Sequence, residues 1–211
     1  MSRQRKNSAV PAMAERHLNI TKTAFGKGAR IVSHDPGSIP EQGILAGKKT
    51  PALIQALDYQ RQGFSVIPIH AKEKKPLIAW EPYQTKRASE ETLTQWFSSW
   101  PDANIAIVTG AVSGIVVVDC DDKAATRELK KMIPDLTPIP RSKTGHGWHF
   151  FFKHPGENIV NRVNVLPKMD IRGDGGYVVA PPSIHPEGHV YQLFAWHTSA
   201  NGQINYAASN T

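Results

Sequence analysis

Two acidic residues follow a short apolar strand in the middle of the chain. The segment 114–122 is Gly-Ile-Val-Val-Val-Asp-Cys-Asp-Asp, which places Asp119 and Asp121 two residues apart. Side chains alternate between the faces of a strand, so the two carboxylates lie on one face at a Cα spacing of roughly 7 Å, whereas Cys120 points into the core. Paired carboxylates bind divalent ions, and oxygen-only ligands favour Mg²⁺ or Mn²⁺ over zinc. The other interpretation is a strand that ends in acids because the chain reaches solvent there.

A glycine-rich turn leads into an aromatic strand further along. Residues 141–152 are Arg-Ser-Lys-Thr-Gly-His-Gly-Trp-His-Phe-Phe-Phe. The glycines and hydroxyl side chains of this turn leave backbone N–H groups open to an anion such as a phosphate. The turn residues concerned are Ser142, Lys143, Thr144 and Gly145. His149 can donate to a phosphate oxygen, although a core histidine bonded to a backbone carbonyl fits the same pattern.

A third segment adds another carboxylate and an arginine. Residues 169–185 begin Met-Asp-Ile-Arg-Gly-Asp-Gly-Gly, and Asp170 and Arg172 share one face of the predicted strand. Asp170 can complete a metal site with the first two acids, and Arg172 can hold a triphosphate through paired hydrogen bonds. The alternative is an ion pair beside a glycine-rich hairpin, which is common and weak at protein surfaces.

The elements that must position these residues can be predicted from caps and periodicity. Thr50 and Pro51 begin a helix that stops at Gly63, Ser89 caps a second helix, and a third helix spans Asp122 to about Met132. Strands are predicted at residues 64–69, 104–108, 114–119, 148–153, 169–172, 177–180 and 190–194. This mixture predicts an α/β or α+β fold with a sheet whose central strands are covered.

Composition excludes several classes of protein. The chain has 211 residues, of which 40% are hydrophobic and one is cysteine, so an intrachain disulfide and a zinc site of several thiolates are excluded. The longest aliphatic run, residues 115–118, is far shorter than the ~20 residues of a membrane helix. We therefore expect a cytoplasmic protein with no membrane partner.

The net charge of +7 is concentrated at the N-terminus. Residues 1–50 contain 9 Lys and Arg against 3 Asp and Glu, with few aromatic residues, which predicts a basic, flexible leader. We expect a catalytic domain over residues 51–196 and a C-terminal tail over 197–211. A basic chain suggests a polyanionic partner such as nucleic acid, but basic leaders also occur with no such role.

In their order and spacing, these segments resemble the bifunctional DNA primase/polymerase (prim-pol) domain of the archaeo-eukaryotic primase superfamily. The resemblance covers about residues 52–195. It is most specific in residues 170–183, Asp-Ile-Arg-Gly-Asp-Gly-Gly-Tyr-Val-Val-Ala-Pro-Pro-Ser. It implies an α/β (α+β) fold of two modules, an N-terminal α/β unit and an RNA-recognition-motif-like unit, with the active site between them.

The resemblance also implies roles for individual residues. The metal-binding acids of the family fall on Asp119, Asp121 and Asp170, and its nucleotide-contacting histidine falls on His149. Arg172 matches a basic position near the triphosphate. Ser183 and His185 fall near the site, and Lys75 is expected to approach nucleotide or template.

The implied activity is template-dependent nucleotide transfer, as a DNA primase, a DNA polymerase or both, with two Mg²⁺ or Mn²⁺ ions. Its partners would be a single-stranded DNA template with its primer, dNTP or NTP substrates, and a replicative helicase supplied in trans or by a longer chain. One alternative is a nucleotide- or single-stranded-DNA-binding module with this fold and little synthesis. A metal-dependent nuclease, which uses similar acids, is a third reading.

Overall fold

The computed structural model describes residues 50–198 and residue 204. This part of the chain contains three α-helices, α1 (Pro51–Arg61), α2 (Glu90–Ser99) and α3 (Lys123–Met132), and a 3-10 turn at Glu81–Gln84. Its strands are β1 (Ser65–Ile69), β2 (Asn104–Val108), β3 (Ile115–Cys120), β4 (Arg141–Lys143), β5 (Trp148–Lys153), β6 (Arg162–Leu166), β7 (Met169–Arg172), β8 (Tyr177–Ala180) and β9 (Gln192–Phe194). No helix in the described ranges is long and apolar enough to span a bilayer.

Each helix begins at a side-chain cap that satisfies a backbone N–H of the first turn. The Thr50 hydroxyl accepts from Leu53 N at 3.1 Å, and the Ser89 hydroxyl accepts from Thr92 N at 3.2 Å. The Asp122 carboxylate accepts from Ala125 N at 2.7 Å. The three predicted helix starts therefore agree with the structure, and α3 begins at Lys123, directly after its cap Asp122.

The strands form two antiparallel sheets. One has the order β1-β2-β8 and the other β6-β7-β3-β5-β4-β9. The predicted mixture of helices and strands is confirmed, and because the strand pairs within both sheets are antiparallel the fold is α+β. The division into two modules stays a prediction.

Strand β3 lies inside the larger sheet and contributes to two cores. On one face, Ile115 and Val117 are fully buried with Phe151 in the cluster that holds α1 and α2. On the other face, Cys120 is buried against α3, in a cluster with Leu129. On the first face only the last residue of β3, Asp119, is polar, so the apolar core ends where the candidate site begins.

Two strands were not predicted, β4 and β6. β4 has the sequence Arg-Ser-Lys, which lacks apolar alternation, and it forms because both neighbours, β5 and β9, supply backbone partners. β6 lies at the edge of its sheet and is mostly exposed or half-buried, so it lacks the apolar signal of a buried strand.

The C-terminal part of the described chain packs on the helical core. The Trp196 ring centroid lies 4.9 Å from that of Phe151, and its Nε1 donates to Gln62 at 3.0 Å. Ile204 is buried in the same cluster and forms a β-bridge with Thr198. The predicted leader, residues 1–50, lies outside the described residues except for Thr50, as does most of the predicted tail.

A substitution at Gly147 tests how closely the glycine-rich turn packs against the end of β3. A Cβ at this position would collide with the Cys120 carbonyl oxygen, so Gly147→Ala should cost about 3 kcal/mol in the free energy of unfolding. Gly188→Ala is the control, because a Cβ there would point into open space. Only the backbone strain at φ +90° should lower the free energy of unfolding, by about 1 kcal/mol. Thermal melts compare the two, and equal melting temperatures would contradict this packing.

Candidate active site

A row of four polar side chains crosses the larger sheet. In register, Asp170 of β7 lies opposite Asp119 of β3, which lies opposite His149 of β5, which lies opposite Ser142 of β4. Directly opposed residues of antiparallel strands have Cβ atoms about 5 Å apart. We call these residues the polar row. Its two acids come from segments that are 51 residues apart in the sequence and are joined by strand pairing.

Asp170 is held by two hydrogen bonds. Its Oδ2 accepts from Arg172 Nη2 at 2.7 Å, and its Oδ1 accepts from the backbone N of Asn164 at 2.8 Å. The residue is 8% exposed, so its charge is compensated inside the protein rather than by water. The ion pair considered from the sequence is therefore present, and it is largely buried on the Asp170 side.

His149 bridges Asp119 and Ser142. Its Nε2 lies 3.5 Å from Asp119 Oδ1, and its Nδ1 lies 3.4 Å from the Ser142 hydroxyl. Burial lowers the pKa of His149, and the positive charges of Lys74 and Arg172 lower this pKa further. The negative charge of Asp119 acts in the opposite direction and raises the pKa. The imidazole is therefore neutral at neutral pH, and it can donate from one nitrogen and accept at the other. Its neighbours are side chains rather than the backbone carbonyl of a structural core histidine.

Asp121 follows β3 directly and lies close to the other two acids. Burial raises its pKa, and the negative charges of Asp119 and Asp170 raise this pKa further, whereas Lys74 and Lys168 oppose the rise. Three carboxylates thus crowd one end of the sheet. A divalent cation would relieve that repulsion, and the all-oxygen donor set suits Mg²⁺ or Mn²⁺.

The carboxylates are close without forming a finished metal site. Within residues 50–198, no three His, Cys, Asp or Glu side chains already surround one point in a ligating arrangement. Each carboxylate oxygen has two lone pairs, so Asp170 keeps acceptor capacity beside its bonds to Arg172 and Asn164. The donor set fits divalent ions, and binding them requires these side chains to turn toward the ion.

Two cavities meet at the middle of the polar row, where Asp119 and His149 line both of them, whereas Asp170 and Ser142 line neither. Lys74 and Tyr191 also line both cavities. The first cavity has a volume of about 320 Å³, and its wall includes Trp80, Arg172, Tyr177 and the Gly175-Gly176 turn. The second has a volume of about 450 Å³, and its wall includes Asp121, Thr144, His146, Lys168 and His185. The first cavity contains the arginine, and the second contains more of the acids.

The glycine-rich turn reaches the second cavity through only some of its residues. Thr144 lines the cavity, but its hydroxyl accepts from Gly147 N at 2.9 Å and so closes the turn. Gly145 lies against the His185 ring, where a Cβ would be 3.0 Å from Nδ1. Ser142 is fully buried beside His149. Lys143 is exposed and, by strand alternation, faces away from Ser142.

Two predicted site residues outside the polar row and the glycine-rich turn also line neither cavity. The Ser183 hydroxyl is buried and bonds both backbone groups of Ile105, accepting from N at 2.8 Å and donating to O at 3.2 Å. It therefore joins the chain after β8 to β2. Lys75 is exposed outside the cavities, and its neighbour Lys74 lines both instead. A lysine-rich loop has no periodicity from which the inward residue could be selected.

Several cavity residues were not predicted to belong to the site. Tyr191 and Trp80 are isolated aromatics, and such residues are more often part of a core than of a site. Tyr177 forms an edge-to-face pair with Trp80 at a centroid distance of 4.9 Å, and its hydroxyl donates to the Lys74 carbonyl at 2.7 Å. This bond holds the lysine-rich loop beside the first cavity.

A histidine cluster borders the second cavity. His146 Nε2 lies 2.8 Å from a Glu187 carboxylate oxygen, and His189 Nε2 lies 3.9 Å from the same oxygen. The His185 ring lies 5.9 Å from that of His146 and 6.4 Å from that of His189. Of the three histidines, His146 and His185 line the second cavity.

Comparison with known proteins identifies the family. No curated protein matches the chain significantly. The family model for the bifunctional DNA primase/polymerase N-terminal domain matches residues 56–203, which confirms the resemblance found in the sequence. Because this match spans most of the chain and contains the whole polar row, the chain belongs to the bifunctional DNA primase/polymerase family, N-terminal domain.

Proposed function

We propose that this protein is a template-dependent nucleotidyltransferase that acts as a DNA primase, a DNA polymerase or both. The observation that carries the proposal is the register of β3, in which Asp119 lies between Asp170 and His149. Asp121, two residues later, lines the second cavity together with Asp119 and His149. The family, whose members are primases and polymerases, is consistent with this function.

Two divalent ions, Mg²⁺ or Mn²⁺, are part of the proposal. Asp119, Asp121 and Asp170 would hold them, since these acids supply oxygen ligands and crowd one another without a cation. When bound, such ions lower the pKa of a hydroxyl nucleophile and neutralise charge on a triphosphate.

The remaining side chains bind and orient the substrate in this proposal. Arg172 in the first cavity offers a planar pair of donors to phosphate oxygens, and Lys74 offers a mobile positive charge between the cavities. His149 is neutral and donates without adding a charge that competes with a cation. Catalysis would then come mainly from positioning and charge neutralisation.

The second cavity is assigned to the nucleophile. It contains Asp121, whereas Arg172 lines the first cavity, and Asp119 lines both, so a primer 3′-hydroxyl there would lie next to a triphosphate held in the first cavity. In de novo priming, a second nucleotide would supply the same hydroxyl. A single-stranded DNA template and a helicase acting in trans complete the proposed partners.

One assay tests the proposal against its competitors. The full chain is incubated with a labelled primer–template, dNTPs and Mn²⁺. Longer products are expected. Unchanged primer in every condition would instead indicate a binding module, and shorter products a nuclease. A parallel reaction on unprimed single-stranded DNA, with dNTPs and NTPs supplied separately, tests priming.

The first variant prediction removes two acids. Asp119→Ala combined with Asp121→Ala should abolish synthesis, because two of the three proposed metal ligands are lost. Thermal stability at pH 7 should hold or rise. A raised carboxyl pKa in the fold means that the ionised form of Asp121 is disfavoured, so wild-type stability falls as pH rises through that pKa. Asp102→Ala, in an exposed turn, is the control. Substantial extension by the double variant would refute the metal assignment.

The second variant prediction concerns His149. His149→Ala should raise the nucleotide KM and slow synthesis, with little change in DNA affinity, because the ring borders both cavities. The matched control is His154→Ala, which removes a histidine of similar burial that bonds Asp174 at 3.2 Å and lines neither cavity. We expect the control to lose stability without a change in nucleotide KM. If the two variants behave alike, His149 is a structural histidine only.

A further inference from the structure

Tyr191 has a buried ring and a hydroxyl group without a protein partner. The residue is 2% exposed, and in the described part of the chain its hydroxyl makes no hydrogen bond. In the described residues, every side-chain nitrogen or oxygen atom that is completely buried has a hydrogen-bond partner. Because the Tyr191 hydroxyl has none, its oxygen is not completely buried and faces an open space. Buried polar groups are nearly always paired, and an unpaired one in a cavity indicates a missing ligand.

The open space is the junction of the two cavities, since Tyr191 lines both. Burial raises the pKa of Tyr191 to about 12, and the charges of Asp119 and Asp121 contribute to this raised pKa. The hydroxyl is therefore close to the acids and stays protonated at neutral pH. It offers one donor and acceptor sites without a charge.

The ring that carries this hydroxyl is fixed. Its centroid lies 6.0 Å from the His149 ring and 6.0 Å from the His185 ring. Its backbone N donates to the Ser183 carbonyl at 2.9 Å. A fixed group can select among ligands that differ by a single polar atom, because it cannot move to compensate.

The charges around the hydroxyl indicate what kind of group it meets. Phosphates are attracted toward Arg172 in the first cavity, and the carboxylates of Asp119 and Asp121 repel an anion that no cation accompanies. A neutral hydroxyl between these regions matches a neutral polar part of a nucleotide. In a nucleotide whose phosphates lie in the first cavity, the neutral group bonded directly to the phosphates is the sugar, and the base lies farther from them.

We propose that the Tyr191 hydroxyl hydrogen-bonds a sugar hydroxyl of the bound nucleotide and thereby selects among nucleotides by their sugar. This inference rests on the proposed function, because it takes a nucleotide as the ligand. It assigns to Tyr191 a role in specificity that is separate from metal binding and from the triphosphate contacts.

The test measures the affinity of the full chain for ATP, dATP and dideoxy-ATP by calorimetry in the presence of Mg²⁺. Wild type is compared with Tyr191→Phe, which keeps the ring and removes only the oxygen. A net hydrogen bond is worth roughly 1 kcal/mol, so we expect a loss of about fivefold for the nucleotides that carry the partner hydroxyl and none for those that lack it. A loss with ATP alone assigns the 2′-hydroxyl, and a loss with ATP and dATP assigns the 3′-hydroxyl.

Equal losses for all three nucleotides, or no loss, would overturn the inference, as would a wild-type chain that binds none of them. Tyr83→Phe is the control, since Tyr83 packs against Trp96 and lines neither cavity. A melt of each variant verifies folding. If the affinities give the expected pattern but the wild type makes no DNA, the sugar contact stands and the proposed synthesis fails.

Discussion

Antiparallel pairing of β3 with β5 on one side and β7 on the other holds Asp119 directly between His149 and Asp170. A slip of one residue in either pairing would turn a member of this row to the opposite face, toward α3 and its apolar cluster. The buried residues Val117 and Phe151 prevent that slip, because they occupy the same face and lock the register in the helical core. The core thus specifies the site.

Electrostatics at the end of β3 follow from this arrangement. The sheet brings Asp119 and Asp170 together and the chain adds Asp121, while the compensating positive charges of Lys74, Lys168 and Arg172 lie around them. Burial, followed by the negative charges of Asp119 and Asp170, raises the pKa of Asp121 more than Lys74 and Lys168 lower this pKa. A site that is anionic at its centre and cationic at its edge suits divalent cations together with a polyphosphate, which is the basis of the proposed function.

The sequence predicted features that depend on local chemistry. Thr50, Ser89 and Asp122 cap helices where their side chains can reach the first turn, and the alternation around Asp119 places its face correctly. Features that depend on long-range contacts were missed. β4 has no apolar pattern and forms through pairing with its neighbours. The Lys74 side chain lines both cavities in a loop that is held by a distant residue, since the Tyr177 hydroxyl donates to the Lys74 carbonyl. Ser183 lies in the motif that resembles the family most specifically, yet its hydroxyl bonds the backbone of Ile105 in β2 and lines neither cavity.

The central claim is that strand register assembles a divalent-cation site from acids that are distant in sequence. Calorimetric titration of Mn²⁺ into the full chain tests it without requiring any synthesis. We predict saturable binding by the wild type that is lost in Asp119→Asn and in Asp170→Asn and kept in Asp102→Asn, whose side chain is exposed in a turn. Unchanged Mn²⁺ binding in either of the first two variants would contradict the account.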